Sequence, residues 1–164
     1  GPLAPTLERA RARCARGEIV RTPAVQPDEL AAHYAASRLL VFASLGEPWG
    51  LVVNEAFACA RPVLCSSLAG CADDLMRPGE NGWIVDPTLP CELAASLREA
   101  LEHPDLERLG IEGRRTVDRF GPEPMAAGIR AAVESCSRGE SRASAVSAQR
   151  EHAVRASGRS ASRE

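Results

Sequence analysis

Apolar positions along this chain fall into two kinds of run that alternate. Short unbroken runs, Leu39-Leu40-Val41-Phe42-Ala43, Pro62-Val63-Leu64-Cys65 and Trp83-Ile84-Val85, have the length and continuity of strands buried on both faces. Between them the pattern is helical. Pro27-Asp28-Glu29-Leu30 opens a helix through Ala36, with proline at its start and acids in the first turn, where the helix dipole favours them. Leu51 to Ala60 predicts a second helix and Ala72 to Met76 a short one. Cys91 to Glu102, Asp105 to Arg119 and Glu123 to Ser135 predict three more. Asn81-Gly82 reads as a turn, and Asp86-Pro87 closes the third strand. At the start, Pro5 to Arg16 predicts a helix stopped by Gly17, and Glu18 to Arg21 a strand.

Strands that alternate with helices imply parallel pairing through crossovers, so the expected fold class is α/β with a doubly wound parallel sheet. In such sheets a ligand sits beyond the carboxyl ends of the strands. From Ser137 the composition turns to Ser, Arg, Ala and Gly with almost no large apolar residue, which cannot offset chain entropy. The expected organisation is one domain over residues 1–136 and a disordered tail over 137–164.

Composition narrows the function classes. The formal charge of −2 and pI near 6.0 offer no basic surface, which argues against a nucleic-acid partner. No run reaches the roughly 20 apolar residues of a membrane span, so no transmembrane segment is expected. The opening Gly1-Pro2-Leu3 has neither an initiator Met nor a signal pattern, so the chain reads as a fragment. Six cysteines without zinc-like spacing or a dense framework suggest a reduced, cytoplasmic protein, with Cys59, Cys65 and Cys71 as small core residues.

The chemistry concentrates between Ser44 and Cys71. Glu47 and Glu55 stand eight positions apart, a spacing of which about one or two instances are expected from the chain's glutamate content alone. Their addresses say more. Glu47 falls in the loop after a strand, where a doubly wound sheet holds its ligand. Glu55 falls on an otherwise apolar helix, which predicts a buried carboxylate that needs a hydrogen-bond donor: an arginine such as Arg61 or Arg77, backbone amides, or ligand hydroxyls. Gly50 between them opens that helix, leaving the amides of Leu51, Val52 and Val53 without intrahelical acceptors at the positive end of the dipole. A diphosphate at Gly50 to Val52, flanked by carboxylates that accept from sugar hydroxyls, makes a coherent site. Trp49 reads equally as packing or ligand contact. Asp73 and Asp74 read as caps of the short helix before ligand contacts, and His33 and His103 as structural or surface residues.

Several ordered motifs then resemble one family. Glu47-Pro-Trp-Gly-Leu-Val-Val-Asn-Glu55-Ala-Phe-Ala-Cys59, Arg61-Pro-Val-Leu, Gly70-Cys-Ala-Asp-Asp-Leu75 and Gly79-Glu-Asn-Gly-Trp83 are similar to glycosyltransferase family 4. The resemblance implies the C-terminal, donor-binding, Rossmann-like half of a GT-B fold. It implies that Glu47 faces the donor hexose as the residue nearest the chemistry and that Glu55 meets the nucleoside ribose. The amides of Gly50, Leu51 and Val52 would hold the diphosphate of a nucleotide-sugar donor. It also implies transfer with retention at the anomeric carbon, no cofactor and no metal, and an N-terminal acceptor domain outside this chain; the acceptor is not readable. Ala60 stands where the family pattern usually has Gly, and Ala69 where Val or Gly is common. The alternatives are a nucleotide-sugar epimerase of the same fold and a non-catalytic nucleotide-sugar-binding module, since this polypeptide alone is expected to be inactive.

Overall fold

The computed structural model describes residues 4–14 and 17–137. Its centre is a parallel sheet in the order β1 (Leu40–Phe42), β2 (Val63–Ser66), β3 (Gly82–Val85), with Leu40, Val41 and Phe42 paired to Val63, Leu64 and Cys65, and Leu64 paired to Trp83. Helices α1 (Ala4–Arg13) and α2 (Pro27–Ala36) precede it. Helix α3 (Leu51–Ala58) joins β1 to β2 and α4 (Ala72–Leu75) joins β2 to β3, before α5 (Pro90–Glu102), α6 (Leu106–Val117), a 3₁₀ turn (Asp118–Phe120) and α7 (Pro122–Ser137).

Alternation along β2 divides the core in two. Val63 and Cys65 join Val53, Ala56 and Phe57 of α3 and Leu75 of α4, while Leu64 turns the other way to Trp83, Ala100 and Leu109. Each fully buried Leu, Val or Phe of these clusters contributes roughly 1.5–3 kcal/mol. Helix α6 presses against α3 through glycine: a Cβ on Gly110 would stand 2.0 Å from the Ala60 carbonyl oxygen, and one on Gly113 would enter the Phe57 ring.

The buried Asn81 ties the turn before β3 to its surroundings. Its Oδ1 accepts from the Arg77 amide at 2.8 Å, and its Nδ2 donates to the Leu75 carbonyl at 2.9 Å and to Thr116 Oγ1. The turn itself is Gly79 to Asn81 and Gly82 opens the strand, because a Cβ on Gly82 would meet the Val63 carbonyl of β2 at 2.0 Å.

Four expectations need correction. Glu18 to Arg21 forms no strand: Val20 is exposed, and among the described residues no strand lies beside it to supply a hydrogen-bonded partner. β1, the edge strand of the described sheet, is not buried on both faces: Leu40 and Phe42 are half-buried and Val41 is 43% exposed. The first helix ends at Arg13, and the last runs to Ser137, past the expected boundary; the rest of the expected tail, 138–164, lies outside the described residues. Asp73 and Asp74 lie in the first turn of α4 but neither side chain caps it, since its N-cap position is Cys71. No described helix is long and apolar enough to cross a membrane.

Candidate functional site

The loop after β1 and the loop after β2 are zipped together beyond the strand ends. Ser66 Oγ donates to the Ser44 carbonyl at 2.6 Å, the Glu47 amide to Leu68, the Gly70 amide to the Glu47 carbonyl at 2.9 Å, and the Cys71 amide to Trp49 at 3.0 Å. Glycine at 70 makes this approach possible, because a Cβ there would stand 2.0 Å from the Pro48 carbonyl oxygen. Glu47 is therefore held by its backbone on both sides, half-buried, at the carboxyl end of the sheet.

Gly50 then turns the chain into α3 with φ 104° and ψ 63°, and a Cβ at this position would meet the Phe42 ring at 2.8 Å. Positive φ and lack of space both select glycine. The amides of Gly50, Leu51 and Val52 donate to no acceptor among the described residues; Leu51 is 66% exposed and Val52 half-buried, while Gly50 is buried. The Val53 amide differs from expectation: it donates to the Gly50 carbonyl at 3.0 Å, because the first turn tightens and satisfies it internally.

Glu55 departs from expectation most. It is exposed, because the helical period turns Val53, Ala56 and Phe57 into the core and leaves Leu51, Glu55 and Ala58 outward; the apolar Leu51 and Ala58 concealed this from the pattern. Neither Arg61 nor Arg77 pairs with it among the described residues; Tyr34 of α2 donates to Glu55 Oε2 at 2.9 Å instead. Burial first, and then the Glu55 carboxylate, push the Tyr34 phenol above its ordinary range. Glu55 lies one turn into α3, on the stripe of side chains that starts at Leu51. Beside it, Leu30, Ala31, Tyr34 and Cys59 line a groove of about 260 Å³ between α2 and α3.

Trp49 acts as a brace. Its indole N–H donates to Asn54 Oδ1 at 2.9 Å, and its ring meets Phe120 at 6.4 Å, so its polar atom is already engaged. Cys65 and Cys71 are fully buried below the loops, and Cys71 Sγ would stand 3.3 Å from a Cβ on Gly50. Burial and then the neighbouring Cys71 push the Cys65 thiol up to about 12, and burial raises Cys71 as well. Cys59, Cys65, Cys71, Cys91 and Cys136 are free thiols; Cys59 is half-buried, and Cys14, Cys91 and Cys136 are exposed. His33 is exposed, and His103 stands edge-on to Trp83 at 5.6 Å.

Sequence reasoning missed Tyr34 as the partner of Glu55 and the clamp made by Ser66 and Gly70. Tyr34 is 21 residues from Glu55 and gives no local signal. Gly70 was visible as a motif residue, but its role depends on a contact between loops that periodicity does not encode.

A parallel sheet flanked by helices, with loops clamped together at its carboxyl end, defines a Rossmann-like α/β domain. The family described as glycosyl transferases group 1 matches residues 1–103, and the chain belongs to that family. D-inositol 3-phosphate glycosyltransferase of Streptomyces bingchenggensis is 34% identical over 123 residues, 74% of this chain and 27% of the relative. The protein of that name from Thermobispora bispora is 42% identical over 106 residues, 64% of this chain and 24% of the relative. The chain thus spans about a quarter of the length of these relatives. Among solved structures, sucrose-phosphate synthase from Thermosynechococcus elongatus matches with TM-score 0.70 and 26% identity over 85% of this chain and 35% of that one. Anabaena HepE in complex with UDP matches with TM-score 0.56 and 27% identity over 63% of this chain and 29% of that one. The fold is that of one half of a GT-B glycosyltransferase.

Proposed function

We propose that this chain is the donor-binding part of a glycosyltransferase that takes a nucleotide-diphosphate sugar and transfers its glycosyl group with retention. The observation that carries the reading is the start of α3. The amides of Gly50, Leu51 and Val52 have no acceptor among the described residues and stand at the positive end of a helix dipole, where Leu51 is exposed, Val52 half-buried and Gly50 buried at a position that only a residue without a side chain can occupy. The UDP complex of the Anabaena relative supports a uridine nucleotide as the first donor to test.

In this reading the diphosphate lies against those amides, Glu55 accepts a hydrogen bond from a ribose hydroxyl, and Glu47 accepts from the hexose. As the bond between the anomeric carbon and the phosphate oxygen breaks, negative charge grows on the diphosphate, and fixed amide dipoles stabilise it without having to reorient. The acceptor oxygen attacks on the face the phosphate leaves, and the departing phosphate oxygen takes the acceptor proton. Glu47 then works by fixing hexose geometry and needs no proton transfer of its own. The acceptor is bound by an N-terminal domain of the longer protein, and turnover proceeds without a metal.

The test uses the intact protein with UDP-sugars and candidate acceptors, with UDP release followed and the product read by proton NMR. Retained anomeric configuration and a rate unchanged by EDTA are expected. An inverted product would refute the proposed mechanism, and a product epimerised at another carbon with no acceptor glycosylated would turn the assignment to an epimerase.

A further inference from the structure

A cleft of about 430 Å³ opens at the opposite edge of the sheet, lined by Arg38, Arg61, His103, Pro104, Leu106 and Glu107. Arg38 and Arg61 come just before β1 and β2, so parallel pairing brings both to the amino-terminal edge of the strands. His103 and Pro104 join α5 to α6 beside them. Nothing in the donor chemistry uses this edge.

The cleft gathers hydrogen-bond donors. Arg61 is anchored by its Nε to the Cys59 carbonyl at 3.1 Å and by Nη1 to the Ser37 carbonyl at 3.2 Å, leaving Nη2 with no acceptor among the described residues. Arg38 makes no hydrogen bond or ion pair among the described residues, and neither guanidinium is matched by a carboxylate, although Glu107 stands at the rim. His103 Nδ1 accepts from the Asp105 amide at 3.2 Å, so the neutral ring carries its proton on Nε2 and has a donor to offer. The Trp83 ring at 5.6 Å limits where that imidazole can turn. Two guanidiniums converge here in a chain whose net charge is −2, so the positive cleft runs against the chain's average.

We propose that this cleft binds a phosphate group, either free or as a phosphomonoester of a small molecule, through Arg38, Arg61 and His103. The planar guanidinium fork of the unpartnered Arg38 matches phosphate oxygens two at a time, which a diffuse positive surface does not, and Arg61 Nη2 and His103 Nε2 add single donors. The volume also exceeds what one phosphate fills and falls in the range of small-molecule pockets.

The experiment titrates the intact protein with inorganic phosphate and with a hexose phosphate at constant ionic strength, after saturation with UDP. It follows the His103 ring resonances, assigned with His103→Gln. A saturable shift is expected. Arg38 is exposed and unpartnered, so Arg38→Gln leaves folding intact and weakens binding about threefold, while Glu107→Gln removes an opposing charge and tightens it by a similar factor. A hexose phosphate binding several-fold more tightly than phosphate assigns the site to a phosphomonoester, and equal affinities assign it to the phosphate alone. No saturable shift, or affinities unchanged in both Arg38→Gln and Glu107→Gln, would overturn the proposal. Because His103 reports on this edge alone, the result stands whether or not UDP occupies α3.

Discussion

Replacing Gly70 with Ala puts the geometry of the two clamped loops to a quantitative test. The new Cβ would stand 2.0 Å from the Pro48 carbonyl oxygen and 2.9 Å from its carbon, both backbone atoms, so no flexible side chain can move aside. The loops must part by more than an ångström to reach ordinary contact. That movement breaks the bonds from the Gly70 amide to Glu47 and from the Cys71 amide to Trp49. Overpacking costs about 1–3 kcal/mol and each of the two lost bonds about 0.5–1.5, so the expected destabilisation is roughly 2–6 kcal/mol. Gly46→Ala is the control: an added Cβ there meets nothing within 4 Å and its φ is not positive, so stability should change by less than about 0.5 kcal/mol. In urea, with a slope of about 2 kcal/mol per molar, the Gly70→Ala midpoint should fall by about 1–3 M while Gly46→Ala barely moves. Equal midpoints for the two variants would refute the clamp.

Three further outcomes follow from particular residues. Ala60 occupies the C′ position of a Schellman motif at φ 53°, with its own amide on the Phe57 carbonyl and the Arg61 amide on the Ala56 carbonyl, so Ala60→Gly should raise unfolding free energy by about 1 kcal/mol in denaturant titration. For Cys65 the unfolded thiol ionises near 9.0 and the folded one near 12, so its contribution is fully present below pH 9 and is lost as pH rises from 9 to 12. Unfolding free energy should fall there by up to about 1.4 kcal/mol per pH unit, and Cys65→Ala should flatten that slope. Tyr34→Phe removes the donor that orients Glu55, and should cost about 1 kcal/mol of stability and weaken UDP binding two- to fivefold by calorimetry.

Much of the fold was legible because strand runs and helix punctuation are local signals. Helix α2 has the bounds its proline and acids announce, and β2 is buried on both faces as its unbroken apolar run requires. Partners farther along the chain were not legible. The run at Glu18 reads as a strand by composition, yet a strand exists only through its neighbours. Val41 reads as buried, yet it is exposed on the edge strand. At the site, Gly50 was legible as a helix start, and the structure adds that both its φ and the Phe42 ring require glycine. Glu55 was expected to be buried, and the helical period turns it outward instead. It is an outward carboxylate held by Tyr34, a better arrangement for meeting a ligand hydroxyl than the buried one its apolar neighbours suggested. Ala60 was visible as a departure from the family's glycine, and its positive φ shows what that glycine supplies.

The central claim is that α3 binds a nucleotide diphosphate at its start, with Glu55 on the ribose. Calorimetric titration of the intact protein with UDP, in the natural sequence and in Glu55→Ala, tests it most directly. Glu55 is exposed, so its removal leaves the core untouched, and losing a charge-assisted hydrogen bond of about 1.5–3 kcal/mol should weaken binding at least about tenfold. Saturable binding that drops by this factor is the predicted result; no saturable binding, or the same affinity in Glu55→Ala, would contradict it.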